Sequence, residues 1–322
     1  MRTERACLSL LSTGLLPKLA PPPPGRVRNI LKAQSSLPRL LLPFLLLSIM
    51  APPVALHHSP VTGQTLPGPA IEVYVVGNVS GEVQAKYRQI LVGATGFYQQ
   101  AFGESGPPVV RLRLYERLTA SDWVTFFGGS EERAVRAVQV FSGGGWRENI
   151  LVNFSRNPLA ERVVPHELLH LWQDVWLGSR PRDGWFFEGM AEFYADLFGE
   201  QLGIRSKDTV IRMLFEAMKD KRAVVGAILP SVLDGSGDRW ATLTGSLGIV
   251  RAGGVARSFT YAYALLAYDY LERRSSRSAA VGYIKNRGTG TAHADAFLVA
   301  FKISLDEFDS AFKNYLQERI GP

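Results

Sequence analysis

The sequence predicts an α+β protein: a small mixed β-sheet with helices over residues 70–157, then a mainly α-helical lobe over 158–322. Three observations predict it. The β-branched and alternating runs, Ile71–Val76 (IEVYVV) and Val109–Tyr115 (VVRLRLY), are confined to the first part. From Leu159 onward apolar residues recur at helical spacing in one segment after another. Strands gathered first and helices afterwards is the α+β order, and it makes a cleft between two lobes the natural place for a site.

Ahead of that domain, residues 1–56 read as a targeting segment. Leu40–Leu56 (LLLPFLLLSIMAPPVAL) follows Lys32 and Arg39 and closes on small residues and prolines, the pattern of a secretory signal with cleavage near Ala55. Its strongly apolar part, Leu40–Met50, is shorter than the ~20 residues a spanning helix needs. An exported protein, periplasmic or secreted, is therefore expected, with an uncleaved membrane anchor as the alternative. The proline run Pro21–Pro24 is foreign to a signal peptide and points to a start further along. Residues 57–69, rich in His, Pro, Gly and Thr, form a linker to a domain at 70–322.

Charge and cysteine content narrow the function classes. Of the net charge of +7, residues 1–55 supply seven Lys/Arg against one acid, Glu4, so the domain itself is near neutral and shows no footprint for nucleic acid. Cys7 is the sole cysteine; it allows no internal disulfide and no zinc–thiolate site, and it precedes the apolar run, where a lipid anchor would not sit.

Within the domain, 81–102 carries a helical stripe of Val83, Tyr87, Ile90, Leu91, Ala94 and Tyr98. Ser121–Phe127 reads as a short helix capped by Ser121. Ala137–Phe141 and Asn149–Phe154 read as strands flanking a glycine turn, Ser142-Gly143-Gly144-Gly145. Helices follow at 160–177, 185–203, 207–219, 257–273, 277–286, 293–301 and 304–318, with Gly- and Asp-rich breaks at 234–238 and 244–254.

The chemistry lies in PHELLHLWQDVW, residues 165–176. On a helix His166 and His170 project from one face a turn apart, a spacing that lets two imidazoles meet one zinc at ~2.0–2.1 Å. Glu167, directly after the first histidine, stands beside that pair, where it can take a proton from a metal-bound water. The rest of the stretch is apolar, and buried polar side chains need partners, which a metal supplies. Pro165 must begin this helix or kink it. A second apolar helix, WFFEGMAEFYA, returns with Glu188, separated from His170 by 17 residues, a carboxylate able to complete a two-His, one-Glu site. Glu192 shares its face and is placed to accept the second ring N–H of a ligand histidine.

HELLH followed by WFFEGMAEFYAD resembles the gluzincin metallopeptidases, the aminopeptidase-N-like branch and the smaller peptidase MA-like domains, whose pattern is HExxH, about eighteen residues, then EG-x-A-E. The resemblance spans roughly 160–318 and implies a zincin-like fold with one Zn2+ per chain, held by His166, His170 and Glu188. It further implies a tyrosine that donates to the oxyanion, which maps onto Tyr261 of TYAYALLAYDYLE, with Tyr263 as the fallback. The gap before Glu188 is one residue shorter than in the aminopeptidases. Their glycine-rich exopeptidase motif and large N-terminal β domain are missing. The expected function is zinc-dependent hydrolysis of a peptide or protein substrate, by endopeptidase or narrow-specificity action in preference to aminopeptidase action. Asn149–Phe154 is the expected substrate-pairing edge strand. The competing expectation is an exported binding or assembly protein that keeps the fold without turnover. A closed structural zinc site fits less well, because it needs four protein ligands and the spare histidines, His57, His58 and His293, lie in or near loops.

Overall fold

The computed structural model describes residues 68–139, 141–156, 158–180, 182, 184–221, 225, 249–252 and 255–321. The targeting segment, most of the linker and the break at 234–238 lie outside the described residues. Among the described residues no helix is long and apolar enough to cross a membrane.

The architecture is α+β, a four-stranded mixed sheet followed by a mainly helical part. Strand β1 (Ala70–Val76), helix α1 (Gly81–Phe102), β2 (Val109–Tyr115), α2 (Ala120–Phe127), α3 (Glu131–Val138), β3 (Gly143–Trp146) and β4 (Asn149–Asn153) make the first part. The sheet order is β1-β2-β4-β3; β1, β2 and β4 run parallel, and β3 pairs antiparallel with β4, Gly145 opposite Ile150. Alternation sorts the two sheet faces. Val110, Leu112, Leu114, Ile150 and Val152 join the main core, whereas Tyr115 and Leu151 face a second cluster built on Trp123 of α2 and Ala134 of α3.

Three local expectations give way here. Helix α2 starts one residue earlier than expected, because Thr119 and not Ser121 caps it, in a reciprocal capping box with Asp122. Ala137 and Val138 are not strand: they end α3, whose start is set by Ser130 accepting from the Arg133 N–H and by Glu131 and Glu132 in the first turn. The glycines expected to turn instead form strand β3, and the turn falls at Arg147-Glu148, with Arg147 at φ 53°. They are glycines because the strand is pressed from both faces. A Cβ on Gly143 would come 2.3 Å from Val163 Cγ1, and one on Gly144 would come 2.7 Å from the Phe141 ring. Strand β4 is consequently interior, between β2 and β3, and the sheet edge on this side is β3.

The second part comprises α4 (Ala160–Leu177), α5 (Gly184–Gln201), α6 (Lys207–Met218), a small hairpin β5 (Ile249–Ala252) and β6 (Val255–Ser258), then α7 (Phe259–Glu272), α8 (Arg277–Gly288), α9 (His293–Phe301) and α10 (Leu305–Ile320). The hairpin replaces the end of the expected break and the start of the expected helix at 257. Helix α7 begins only after Ser258, whose Oγ accepts from the Tyr261 N–H. Helices α4 and α5 lie antiparallel: His166 meets Glu192 at one end, and Gln173 meets Phe187 at the other.

Helix α7 is buried along nearly its whole length and crosses α5 at Gly189. A Cβ there would lie 2.3 Å from the Ala264 carbonyl oxygen and 3.0 Å from Tyr268 Cβ, so only glycine lets the two backbones approach. Gly189→Ala is expected to destabilise by about 1–3 kcal/mol through overpacking. Gly282→Ala in α8, where a Cβ meets nothing within 4 Å, should instead stabilise by roughly 0.5–1 kcal/mol. Urea unfolding midpoints of the two variants check the pair; equal and opposite shifts are not required, but opposite signs are.

Candidate metal centre

Helix α4 carries the two histidines in a setting that fixes their rings. Pro165 neither begins this helix nor lies in its first turn: it is the sixth residue, and its missing N–H leaves the Glu161 carbonyl without its usual partner. Its own carbonyl accepts a hydrogen bond from Tyr98 Oη at 2.7 Å. One residue on, His166 is buried, as is His170 on the next turn, and their rings meet edge to face at 4.8 Å.

The outer nitrogens of both rings are committed. Gln173 donates through Nε2 to the Phe187 carbonyl at 3.0 Å, so its Oε1 must face His170 as an acceptor, 2.7 Å from Nδ1. His170 therefore carries its hydrogen on Nδ1. His166 Nδ1 lies 3.3 Å from Glu192 Oε1, which places its hydrogen on the same nitrogen. Both Nε2 atoms then present lone pairs, and they face each other at 3.2 Å. Glu188 of α5 adds a third acceptor, with Oε2 3.4 Å from His166 Nε2 and 3.3 Å from His170 Nε2. That oxygen is buried and makes no aligned hydrogen bond.

Three acceptors turned on one point need a cation between them. The spacing fits zinc: ligands at ~2.0–2.1 Å from a tetrahedral centre lie roughly 3.3–3.4 Å from one another. Glu167 also stands close, within 4.8 Å of both imidazoles, and His166, Glu167 and His170 form a group able to hold a metal. The shorter approach of Glu188 to both Nε2 atoms makes it the better third ligand. Glu167 is half-buried and lies under strand β3, where a Cβ on Gly145 would be 3.2 Å from its Oε2. The bare glycine leaves room for this carboxylate.

Glu192 is held from three sides. Arg162 Nη2 donates to both its oxygens, at 2.5 and 2.7 Å, and Arg257 Nε donates to Oε2 at 2.6 Å. Burial opposes its ionisation, but the two guanidinium charges outweigh burial and keep it a carboxylate far below the usual range. Glu188 is likewise held low, burial being overcome by the neighbouring rings of His170 and His166. The two tyrosines separate cleanly. Tyr261 is half-buried with its ring 6.2 Å from that of His166, whereas Tyr263 faces the core between Phe259 and Phe312. Burial, with Asp309 adding to it, pushes the Tyr263 phenol up.

The structure thus brings His166, Glu167, His170, Glu188, Glu192 and Tyr261 into one neighbourhood and leaves Tyr263 out of it. Sequence reasoning missed Gln173, Arg162 and Arg257. The first two carried a usable signal, since Gln173 is three residues beyond His170 and Arg162 four before His166, on the metal-facing side of α4. Arg257 carried none, being 65 residues from the carboxylate it holds.

No protein-family model matches the chain, and no curated protein does. Among solved structures, a mutant of an M1 zinc metallopeptidase from Deinococcus radiodurans is similar at a TM-score of 0.37 and 15% identity, over 76% of this chain and 45% of that one. The chain spans less than half the length of that protein, and the likeness is too slight to assign a family.

In the metal-free chain a proton supplies the missing positive charge. Burial would lower the His166 pKa, but hydrogen bonding to Glu188 and Glu192 and the charge of Glu167 push it up to about 10. A folded-state value above the ordinary 6.5 stabilises the metal-free fold fully below pH ~6.5, and that contribution is lost as pH rises through about 10. A metal held by His166 would displace this proton. At pH 8 about one proton should be released per metal bound, and the rise in Tm on adding metal should grow from pH 6.5 to pH 9. Indicator-dye titration in weak buffer checks the first and thermal melts the second; uptake with no proton release would exclude His166 as a ligand.

Proposed function

We propose that the chain is a zinc-dependent peptide hydrolase, with His166, His170 and Glu188 as the metal ligands and Glu167 as general base and acid. The observation that carries this is the convergence of three bare acceptor atoms, 3.2–3.4 Å apart, with a fourth carboxylate beside them. A set of three protein ligands leaves a coordination position for water and substrate, which distinguishes a catalytic from a structural site. When bound, zinc would acidify water and polarise the scissile carbonyl. Glu167 receives the proton of the attacking water and returns it to the leaving amine nitrogen. The Tyr261 phenol donates a hydrogen bond to the carbonyl oxygen as it gains charge. Glu192 and Gln173 hold the two imidazoles with their Nε2 lone pairs inward.

The substrate backbone is read by β3, the edge strand, in place of β4. Asn153 N–H donates to the Ser142 carbonyl, so in this register residues 142, 144 and 146 bond toward β4, and the N–H and C=O groups of Gly143 and Gly145 face away. An extended peptide can pair with both N–H groups and the Gly143 carbonyl, directly above Glu167, the Gly145 carbonyl already accepting from Arg182. Such pairing suits internal bonds or a narrow set of peptides more than removal of single N-terminal residues. The apolar segment at 40–56 supports export, with retention as a membrane anchor the alternative; the N-terminal residue of the native protein decides between them.

Purified protein is expected to hold about one zinc per chain and His166→Ala to hold none. Glu167→Gln should keep zinc and lose peptide hydrolysis; near-normal turnover in that variant would refute the role of Glu167. Tyr261→Phe should lower kcat about 10²-fold with little change in KM, as loss of one oxyanion donor does. Zinc bound in the wild type without turnover on a broad peptide library would favour the non-catalytic binding protein instead.

A further inference from the structure

We propose that Arg257 is a positioning residue that locks the metal ligand His166 and the Tyr261 helix onto one buried carboxylate, so that ligand and oxyanion donor are set together. The inference rests on the zinc-hydrolase reading above. Arg257 is the third residue of β6, and its side chain is fully buried. Its fork is split between two acids one turn apart on α5: Nε bonds Glu192 at 2.6 Å, and Nη2 bonds both oxygens of Asp196 at 2.7 and 2.8 Å. Glu192 in turn lies against His166 Nδ1. On the chain side, Ser258 follows directly and caps α7 by accepting from the Tyr261 N–H. The path from guanidinium to tyrosine is therefore anchored at two successive residues.

Charge and shape both favour this role. Arg162 and Arg257 balance Glu192 and Asp196, so Glu192 orients His166 without bringing net negative charge to the metal. Lysine, a point charge on a flexible stem, cannot span both acids as the planar fork does. A buried ion-pair cluster serving stability alone would show the same bonds, so the test must read the metal centre and not the fold.

The test uses the full chain with Arg257→Lys and, because the first variant risks misfolding, Asp196→Asn, which loosens the fork without touching the metal ligands. Zinc affinity is measured by competition with a chelator, and geometry by the visible spectrum of the cobalt-substituted protein. Arg257→Lys should weaken zinc binding about 10–100-fold and alter the cobalt spectrum, and Asp196→Asn should shift both in the same direction by less. Wild-type zinc affinity and cobalt spectrum in a folded Arg257→Lys protein would overturn the proposal. If that variant does not fold, Asp196→Asn decides alone, an altered spectrum supporting the proposal and an unaltered one overturning it. Failure of the underlying reading looks different: the wild type takes up no zinc, or His166→Ala binds it as well as the wild type, and the inference then falls with it.

Discussion

Two imidazole Nε2 atoms and one carboxylate oxygen are held within 3.4 Å of each other in a buried setting. Without a proton or a metal ion between them these acceptors repel, and much of the surrounding structure serves to keep them in place. Gln173 and Glu192 turn the rings, the Gly189 crossing sets the depth of the helix that carries Glu188, and the aromatic core of α5, α7 and α8 keeps that helix from backing away. The energy to hold the site comes from burial of large side chains such as Phe186, Tyr268 and Tyr283 around it.

What was legible in the sequence was what depends on near neighbours along the chain. The histidine pair, four residues apart on an apolar helix, and the carboxylate on the returning helix follow from helical geometry and a short connection. The resemblance favoured Tyr261, but the residues alone did not decide between it and Tyr263. Both sit on a helix that is apolar nearly all round, so periodicity gives no face, and only packing against Phe259 and Phe312 assigns Tyr263 to the core.

Other features were hidden for stated reasons. Helix α3 was misread because Ala137 and Val138 continue into an apolar pair that looks β-like, while the signal that matters, Ser130 with two glutamates after it, stands upstream. Gly143–Gly145 look like a turn in one dimension. They are strand because α4 and Phe141 leave no room for side chains, a tertiary constraint no local pattern carries. Arg257 is the extreme case, a buried cation whose partners lie on another helix.

Strand β3 has one more consequence. A sheet edge that accepts one extended peptide will in principle accept any other strand, including the same edge of a second molecule, and long exposed edges seed self-association. This edge is four residues long and three of them are glycine, so pairing along it alone returns few hydrogen bonds against a high ordering cost. Arg182 further covers the Gly145 carbonyl at 3.4 Å. A strand that has nothing else to hold will not stay. The bareness that makes room for Glu167 also makes the edge a poor template, so that on the proposed function a metal-bound group would have to do the holding, and aggregation is discouraged by the same three residues.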